Sequence, residues 1–300
     1  MRPYSRVYAT VNLDAVASNM RSMRDNLPAS TLIMGSVKAD GYGHGSVPVA
    51  KTIEPYVFGY AVATIDEGII LRRHGINKTI LILGVTHESR YEDLLRYDIR
   101  TAMFQYEKAK KLSDLALKQG KKAVVHLALD TGMSRIGMKA DREHAKEAAA
   151  IAALEGIEVE GLFTHFARAD ETDKSAYEEQ YRRYKEFLGY LKELGVKIPI
   201  RHCSNSAGIV ESLESNHMDM VRAGIAIYGM YPSDEVDHNS VKLTPAMEIK
   251  SCITYIKEIE AGTAVSYGGT FVADHTMKVA TIPVGYGDGY VRSLSGKGDV

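Results

Sequence analysis

The sequence predicts an α/β fold: a (β/α)8 TIM-type barrel followed by a smaller all-β domain. Three observations carry this. Eight short apolar runs alternate with amphipathic segments over about the first 230 residues, and strands alternating with helices imply a parallel sheet. The runs are almost continuously apolar, which suits parallel strands buried on both faces. After about Pro245 the helical period disappears and β-branched residues and glycine turns take over.

The eight runs are LIMGSV (32–37), VFGYAVA (57–63), TILILGV (79–85), IRTAMF (99–104), AVVHLAL (123–129), VEGLFTHF (159–166), IPIRHCS (198–204) and MDMVR (218–222). The intervals SVPVAKTIEP, DEGIILRRHG, EKAKKLSDLALKQG and REHAKEAAAIAALEG read as helices, and KSAYEEQYRRYKEFLGYLKELG is the longest. In it Tyr177, Tyr181, Tyr184, Leu188 and Leu191 recur at steps of three and four, the spacing of a core-facing stripe. Gly120, Gly156 and Gly195 stand where C-terminal caps belong. Eight units in this length close a barrel; a doubly wound open sheet would not need eight. The expected domains are a barrel over 1–240 and a β domain over 241–300. The closing SLSGKGDV is turn-like and leaves that second domain looking incomplete at its C-terminus.

Composition narrows the function. With 37 basic and 38 acidic residues the net charge is −1, and no basic run carries interleaved aromatics, so no nucleic-acid partner is expected. No apolar run approaches membrane-spanning length, so no membrane partner is expected. Cys203 and Cys252 form neither a disulfide framework nor a zinc spacing, which suits a cytoplasmic, reducing compartment. Ten scattered histidines without HExxH or HxH pairs point to no metal. The glycines of GYGHG do not form GxGxxG, and GK[ST] and GxSxG are absent, so neither a nucleotide loop nor a serine nucleophile is indicated.

In such barrels the chemistry sits at the C-terminal strand ends. Lys38 ends the first run, Asp130 and Arg135 follow the fifth, and His165 ends the sixth. Asn205 and Ser206 end the seventh, and Arg222 the eighth. Each alone has an ordinary reading as a solvated or paired group; six of these polar side chains on one rim argue for a site. Desolvation and cationic neighbours free a lysine amine as a nucleophile, and such lysines make Schiff bases. Loops after strands seven and eight commonly bind phosphate in this fold; here they are SNSAG and RAGIAI, with a small hydroxyl and exposed N–H groups. Schiff-base lysine plus phosphate site suggests pyridoxal 5'-phosphate (PLP), with Arg222 as a partner for the pyridine nitrogen.

The motifs VKADGYGHG, DTGMSRIG, THFARADE, NSAG, RAGIAIYG, VSYGGTF and VGYGDGY, in this order, resemble those of the alanine racemases, fold-type III PLP enzymes, over essentially the whole chain. The resemblance implies PLP-dependent interconversion of L- and D-alanine by two bases, Lys38 and Tyr267, on opposite faces of the substrate, supplying D-alanine for peptidoglycan. It implies that Lys38 carries PLP as a Schiff base and that Tyr42, Ser206, Gly224 and Ile225 surround the phosphate. Arg222 would meet the pyridine nitrogen, with His165 behind it and oriented toward Tyr267, and Asn205 would support this shell. Arg135 and Tyr286 would serve the substrate, Arg135 near its carboxylate; Asp170, Tyr286 and Arg292 match an entry path. Tyr267 would come from a second subunit, which implies a homodimer.

The chain departs from the family pattern at Ala128, where many members carry a lysine, often carbamylated. The charge that helps orient Arg135 is then missing. The family's β domain also continues beyond the motifs present here. Alternatives remain: a racemase for serine or another small amino acid, or a non-catalytic PLP-binding barrel, which would need neither the β domain nor Tyr267. A decarboxylase of this architecture would place an acid where Arg222 stands, and an aldolase-type barrel would not need SNSAG and RAGIAI together.

Overall fold

The structure is a computed structural model that describes residues 6–298; the chain's last two residues, part of the turn-like SLSGKGDV, lie outside the described residues. Two compact units are present: Asn12–Ala246, and the segment up to Val11 together with the chain from Met247 onward.

The first unit is the expected barrel. Its strands are β1 (Leu32–Ser36), β2 (Gly59–Val62), β3 (Thr79–Ile82), β4 (Arg100–Met103), β5 (Ala123–Asp130), β6 (Ile157–Phe163), β7 (Ile200–His202) and β8 (Met220–Ala223). Neighbours pair in parallel from β8 through β1 to β7. The gap between β7 and β8 is bridged by the Arg222 N–H donating to the Ser204 carbonyl at 3.0 Å. Each predicted apolar run overlaps one strand, because its residues are covered both by outer helices and by the interior. The outer layer packs Ile33, Tyr60, Ile80 and Val125 against helices such as Leu13–Asp25 and Ser175–Glu193.

The interior is divided by chemistry. On one side Met34, Ala61, Leu81 and Met220 form an apolar plug from β1, β2, β3 and β8. On the other, β5, β7 and β8 bring His126, His202 and Arg222 inside. Above these sits a small apolar cluster of Ala102, Ala128 and Phe163.

Helix ends follow local chemistry. Asn12, Thr64 and Asp141 accept from backbone N–H groups at N-termini, contacts worth about 1 kcal/mol each. The predicted stripe on Ser175–Glu193 is buried at Tyr177, Tyr181, Tyr184 and Leu191, and Phe187 joins it. Gly120 and Gly195 have the positive φ of C-terminal caps, 63° and 75°. Gly156 does not: it lies just before β6, where a Cβ would come within 2.3 Å of the Ser113 carbonyl oxygen. Close helix–strand packing, not helix termination, requires glycine there.

The second unit is built from antiparallel pairs: Val7–Val11 with Met247–Ser251, Tyr255–Ile259 with Met277–Thr281, and Ala264–Val265 with Phe271–Val272. The N-terminal strand thus groups with the β unit, whereas the sequence pattern assigned it to the barrel. Its partner lies some 240 residues away, a pairing no local period can reveal. Among the described residues no helix is long and apolar enough to cross a membrane.

Candidate active site

The turn after β1 is the most strained stretch of backbone at the barrel rim. Ala39, Asp40, Gly41, Tyr42 and Gly43 all have positive φ, between 50° and 83°. This is a left-handed helical turn. Gly41 and Gly43 adopt it freely, but a non-glycine residue in it costs roughly 1–2 kcal/mol, and three are present. The turn is closed by Gly41 N–H to Val37 O (2.9 Å), Gly43 N–H to Ala39 O (3.0 Å) and Gly45 N–H to Asp40 O (2.8 Å). Asp40 Oδ1 accepts from the Ser46 N–H at 2.8 Å. His44 bonds locally, its Nδ1 3.1 Å from the Tyr42 carbonyl.

The turn brings Lys38 and Tyr42 to one cleft. Two cavities of about 320 and 180 Å3 open at the C-terminal rim, and both are lined by Lys38, Leu83, His165 and Arg222. The larger adds Tyr42, Asn205, Ser206, Gly224, Ile225 and Asp170. The smaller adds Arg135 with Met133, Ile136 and Phe163. The barrel residues expected at the site therefore converge. Tyr267, Tyr286 and Arg292 belong to the other unit. Tyr267 stands in the turn joining Ala264–Val265 to Phe271–Val272 with its side chain 99% exposed, and Tyr286 is exposed too.

One end of the larger cavity is a cradle for an anion. Ser206 begins a short helix capped by Asn205, whose Oδ1 accepts from the Gly208 N–H at 3.1 Å. The Ser206 hydroxyl accepts from the N–H groups of Gly224 (2.9 Å) and Ala226 (3.4 Å), which leaves its own proton to give. A Cβ on Gly224 would meet the Tyr42 hydroxyl at 3.4 Å and Ser206 Oγ at 3.6 Å. The buried Ser36 Oγ on the same wall has no partner among the described residues. A phosphate flanked by hydroxyl and backbone donors fits this chemistry.

Beneath the cleft runs a hydrogen-bonded chain that sequence reading missed. Arg222 donates through Nη1 to His202 Nδ1 (2.9 Å) and through Nη2 toward His165 Nδ1 (3.3 Å). It also donates to the carbonyls of Thr164 (2.7 Å), His202 (3.0 Å) and Cys203 (3.1 Å). His202 Nε2 lies 2.8 Å from His126 Nδ1, and His126 Nε2 lies 2.9 Å from Glu160 Oε2. Donor counting sets the tautomers. Arginine only donates, so His202 Nδ1 accepts and its Nε2 carries the proton. His126 Nδ1 then accepts, and its Nε2 donates to the carboxylate. By the same logic His165 accepts at Nδ1 and holds its proton on Nε2. The space for His126 is a missing side chain: a Cβ on Gly161 would come within 2.4 Å of its Nδ1. The available signal was a histidine inside each of two buried strands.

Electrostatics agree with neutral imidazoles. Burial, then the charges of Arg222, Arg135 and Lys38, push His165 down to about 3. Burial with the Arg222 charge holds His202 well below its ordinary value, and burial lowers His126 against the pull of Glu160. Burial also brings Arg222 down to about 10, so it stays cationic at neutral pH. Unfolded, the three histidines regain protons below about 6.5; folded, they do not. Stability is therefore present above that pH and lost as pH falls toward the lowered folded values, and for His165 the loss at pH 5 is about 2 kcal/mol. The urea midpoint should drop between pH 7 and pH 5, and a flat midpoint would contradict the neutral chain.

Arg135 has no carboxylate partner among the described residues. Asp130 turns to its own loop, accepting from the Gly132 and Ser134 N–H groups at 3.0 Å each. The Ala128 position is closed over by Ala102 and Phe163.

The comparisons with known proteins agree along the chain. Residues 11–232 match the alanine racemase N-terminal domain and residues 246–300 its C-terminal domain. The alanine racemase of Desulforamulus reducens is 43% identical over 98% of this chain and 80% of its own length. That of Clostridium perfringens is 44% identical over 98% and 76%. Among solved structures, the Clostridium difficile alanine racemase superposes with a TM-score of 0.90 at 41% identity, covering 97% of this chain and 76% of that one. The Bacillus anthracis alanine racemase with bound L-Ala-P gives 0.87 at 33%, covering 99% and 77%.

Proposed function

The chain belongs to the alanine racemase family and is an isomerase, and we propose that it interconverts L- and D-alanine with PLP as cofactor. The observation that supports this best is the meeting of Lys38, Arg222 and the Ser206–Gly224 cradle in one cleft. PLP, when bound, supplies an electron sink for the charge left when Cα loses its proton.

The chain's own residues would then act as follows. Lys38 holds the cofactor covalently and moves a proton at one face of Cα. Tyr42, Ser206, Gly224 and Ile225 bind the phosphate, and Asn205 keeps the Ser206 helix in place. Arg222 would face the pyridine nitrogen. As a permanent donor it could not protonate that nitrogen as a carboxylic acid could, and in this way it would hold side transamination down. Tyr267, supplied by a second copy of the chain, is the base on the opposite face. His165, with its proton on Nε2, is suited to donate to the tyrosine oxygen and favour the phenolate. Arg135 receives the substrate carboxylate, and Asp170, Tyr286 and Arg292 line the approach. The reading includes a homodimer, a cytoplasmic location and D-alanine destined for peptidoglycan.

Serine is the nearest competitor, because a methyl and a hydroxymethyl side chain differ little in size. Incubation with single L-amino acids followed by chiral chromatography decides between them. D-alanine should accumulate faster than D-serine or D-lysine; faster D-serine would reassign the substrate, and carbon dioxide release would point to a decarboxylase.

A further inference from the structure

Glu67 is the third residue of the helix Ile65–Arg73, whose N-cap is Thr64. Thr-x-x-Glu is the pattern of a capping box, in which the glutamate reaches back to the N–H of its own cap. Here the carboxylate does something else. Oε2 accepts from the Ala63 N–H at 2.7 Å, just after β2. Oε1 crosses to the neighbouring loop and accepts from the Ala39 N–H at 2.8 Å.

Ala39 is the first residue of the left-handed turn. It directly follows Lys38, which the proposed function assigns to the cofactor's reactive end, and Tyr42, assigned to its phosphate, lies three residues on. A strained turn persists only where its surroundings over-determine it. Most of its other bonds are made within the segment from Val37 to Ser46. The Glu67 carboxylate ties it to the next strand's loop instead, fixing where the turn starts relative to the barrel.

We propose that Glu67 is a positioning residue: its two oxygens clamp the Ala39 and Ala63 N–H groups and so set the separation of Lys38 from Tyr42 at the two ends of the cofactor. Both oxygens are needed. Glutamine offers one acceptor oxygen, and its NH2 would face the other N–H.

The proposal rests on the PLP reading, and the test separates the two. Full-length wild type, Glu67→Ala and Glu67→Gln, freed of cofactor, are titrated with PLP and with pyridoxal, which lacks the phosphate. Attachment to Lys38 is read as visible absorbance lost on borohydride reduction. A clamp that sets the spacing of two ends matters most when both are engaged. Glu67→Ala should bind PLP about tenfold more weakly, the scale of one charge-assisted hydrogen bond, and pyridoxal less than about threefold more weakly. Glu67→Gln should fall with it, within about threefold. Equal losses for both ligands would reduce Glu67 to general stabilisation, and unchanged PLP binding in both variants would overturn the clamp while leaving the PLP reading intact. A wild type that forms no reducible adduct with PLP would instead overturn the function itself.

Discussion

Lys38→Ala should give a folded, colourless protein without racemase activity. The substitution removes the covalent hold on the cofactor and one of the two proposed bases, and the loss should exceed about 10⁴-fold, at or beyond the upper range for a single acid–base group. The fold should survive. Lys38 lies at the cavity wall, partly exposed, and truncation at such a position typically changes stability by no more than about 0.5 kcal/mol. Absorbance after PLP addition, chiral chromatography and thermal unfolding make the check together. A variant that racemises alanine at more than about 1% of the wild-type rate would remove Lys38 from the chemistry.

Arg222→Glu should have the largest effect on stability. Arg222 is 4% exposed and donates to three carbonyls and two histidine nitrogens. Glutamate would leave those carbonyls without donors and set a carboxylate among them. Removing one member of such a buried charged network costs roughly 3–5 kcal/mol. Urea denaturation should show that loss, and Arg222→Lys, which keeps the charge, should lose less. The fraction that folds with PLP should convert more alanine to pyruvate, because an acid at the pyridine nitrogen strengthens the electron sink. A glutamate variant as stable as wild type would contradict the role of Arg222 in the interior. A folded, PLP-loaded variant that makes no more pyruvate than wild type would contradict its role in specificity.

The residues that were legible in the sequence are those whose signal is local. Each apolar run overlaps its strand because burial on both faces leaves a nearly continuous pattern, and the positions of Lys38, His165, Asn205 and Ser206 near strand ends follow from counting along the runs. Arg222 was placed at a strand end but proves to be the penultimate residue of β8, inside the barrel. That inward position makes it the hub of a chain reaching His202, His126 and Glu160. Such a chain is assembled from β5, β6, β7 and β8, and no spacing within one segment encodes it. Glu67 was hidden for the opposite reason: its sequence pattern has a complete local explanation as a capping box, and only the structure shows the carboxylate turned elsewhere. The N-terminal strand escaped because its partner is distant in sequence, and Gly156 because a close approach and a helix cap look the same in one dimension.

The proposed reaction removes a proton from Cα of alanine in this cleft and returns one to the other face. The most direct measurement is incubation of the purified PLP-loaded protein with L-alanine in D2O, with chiral separation and mass spectrometry of the amino acid recovered. D-alanine carrying deuterium at Cα should form, approaching an equal mixture of the two forms. Deuterium entering L-alanine with no D-alanine formed, or no exchange at all, would contradict it.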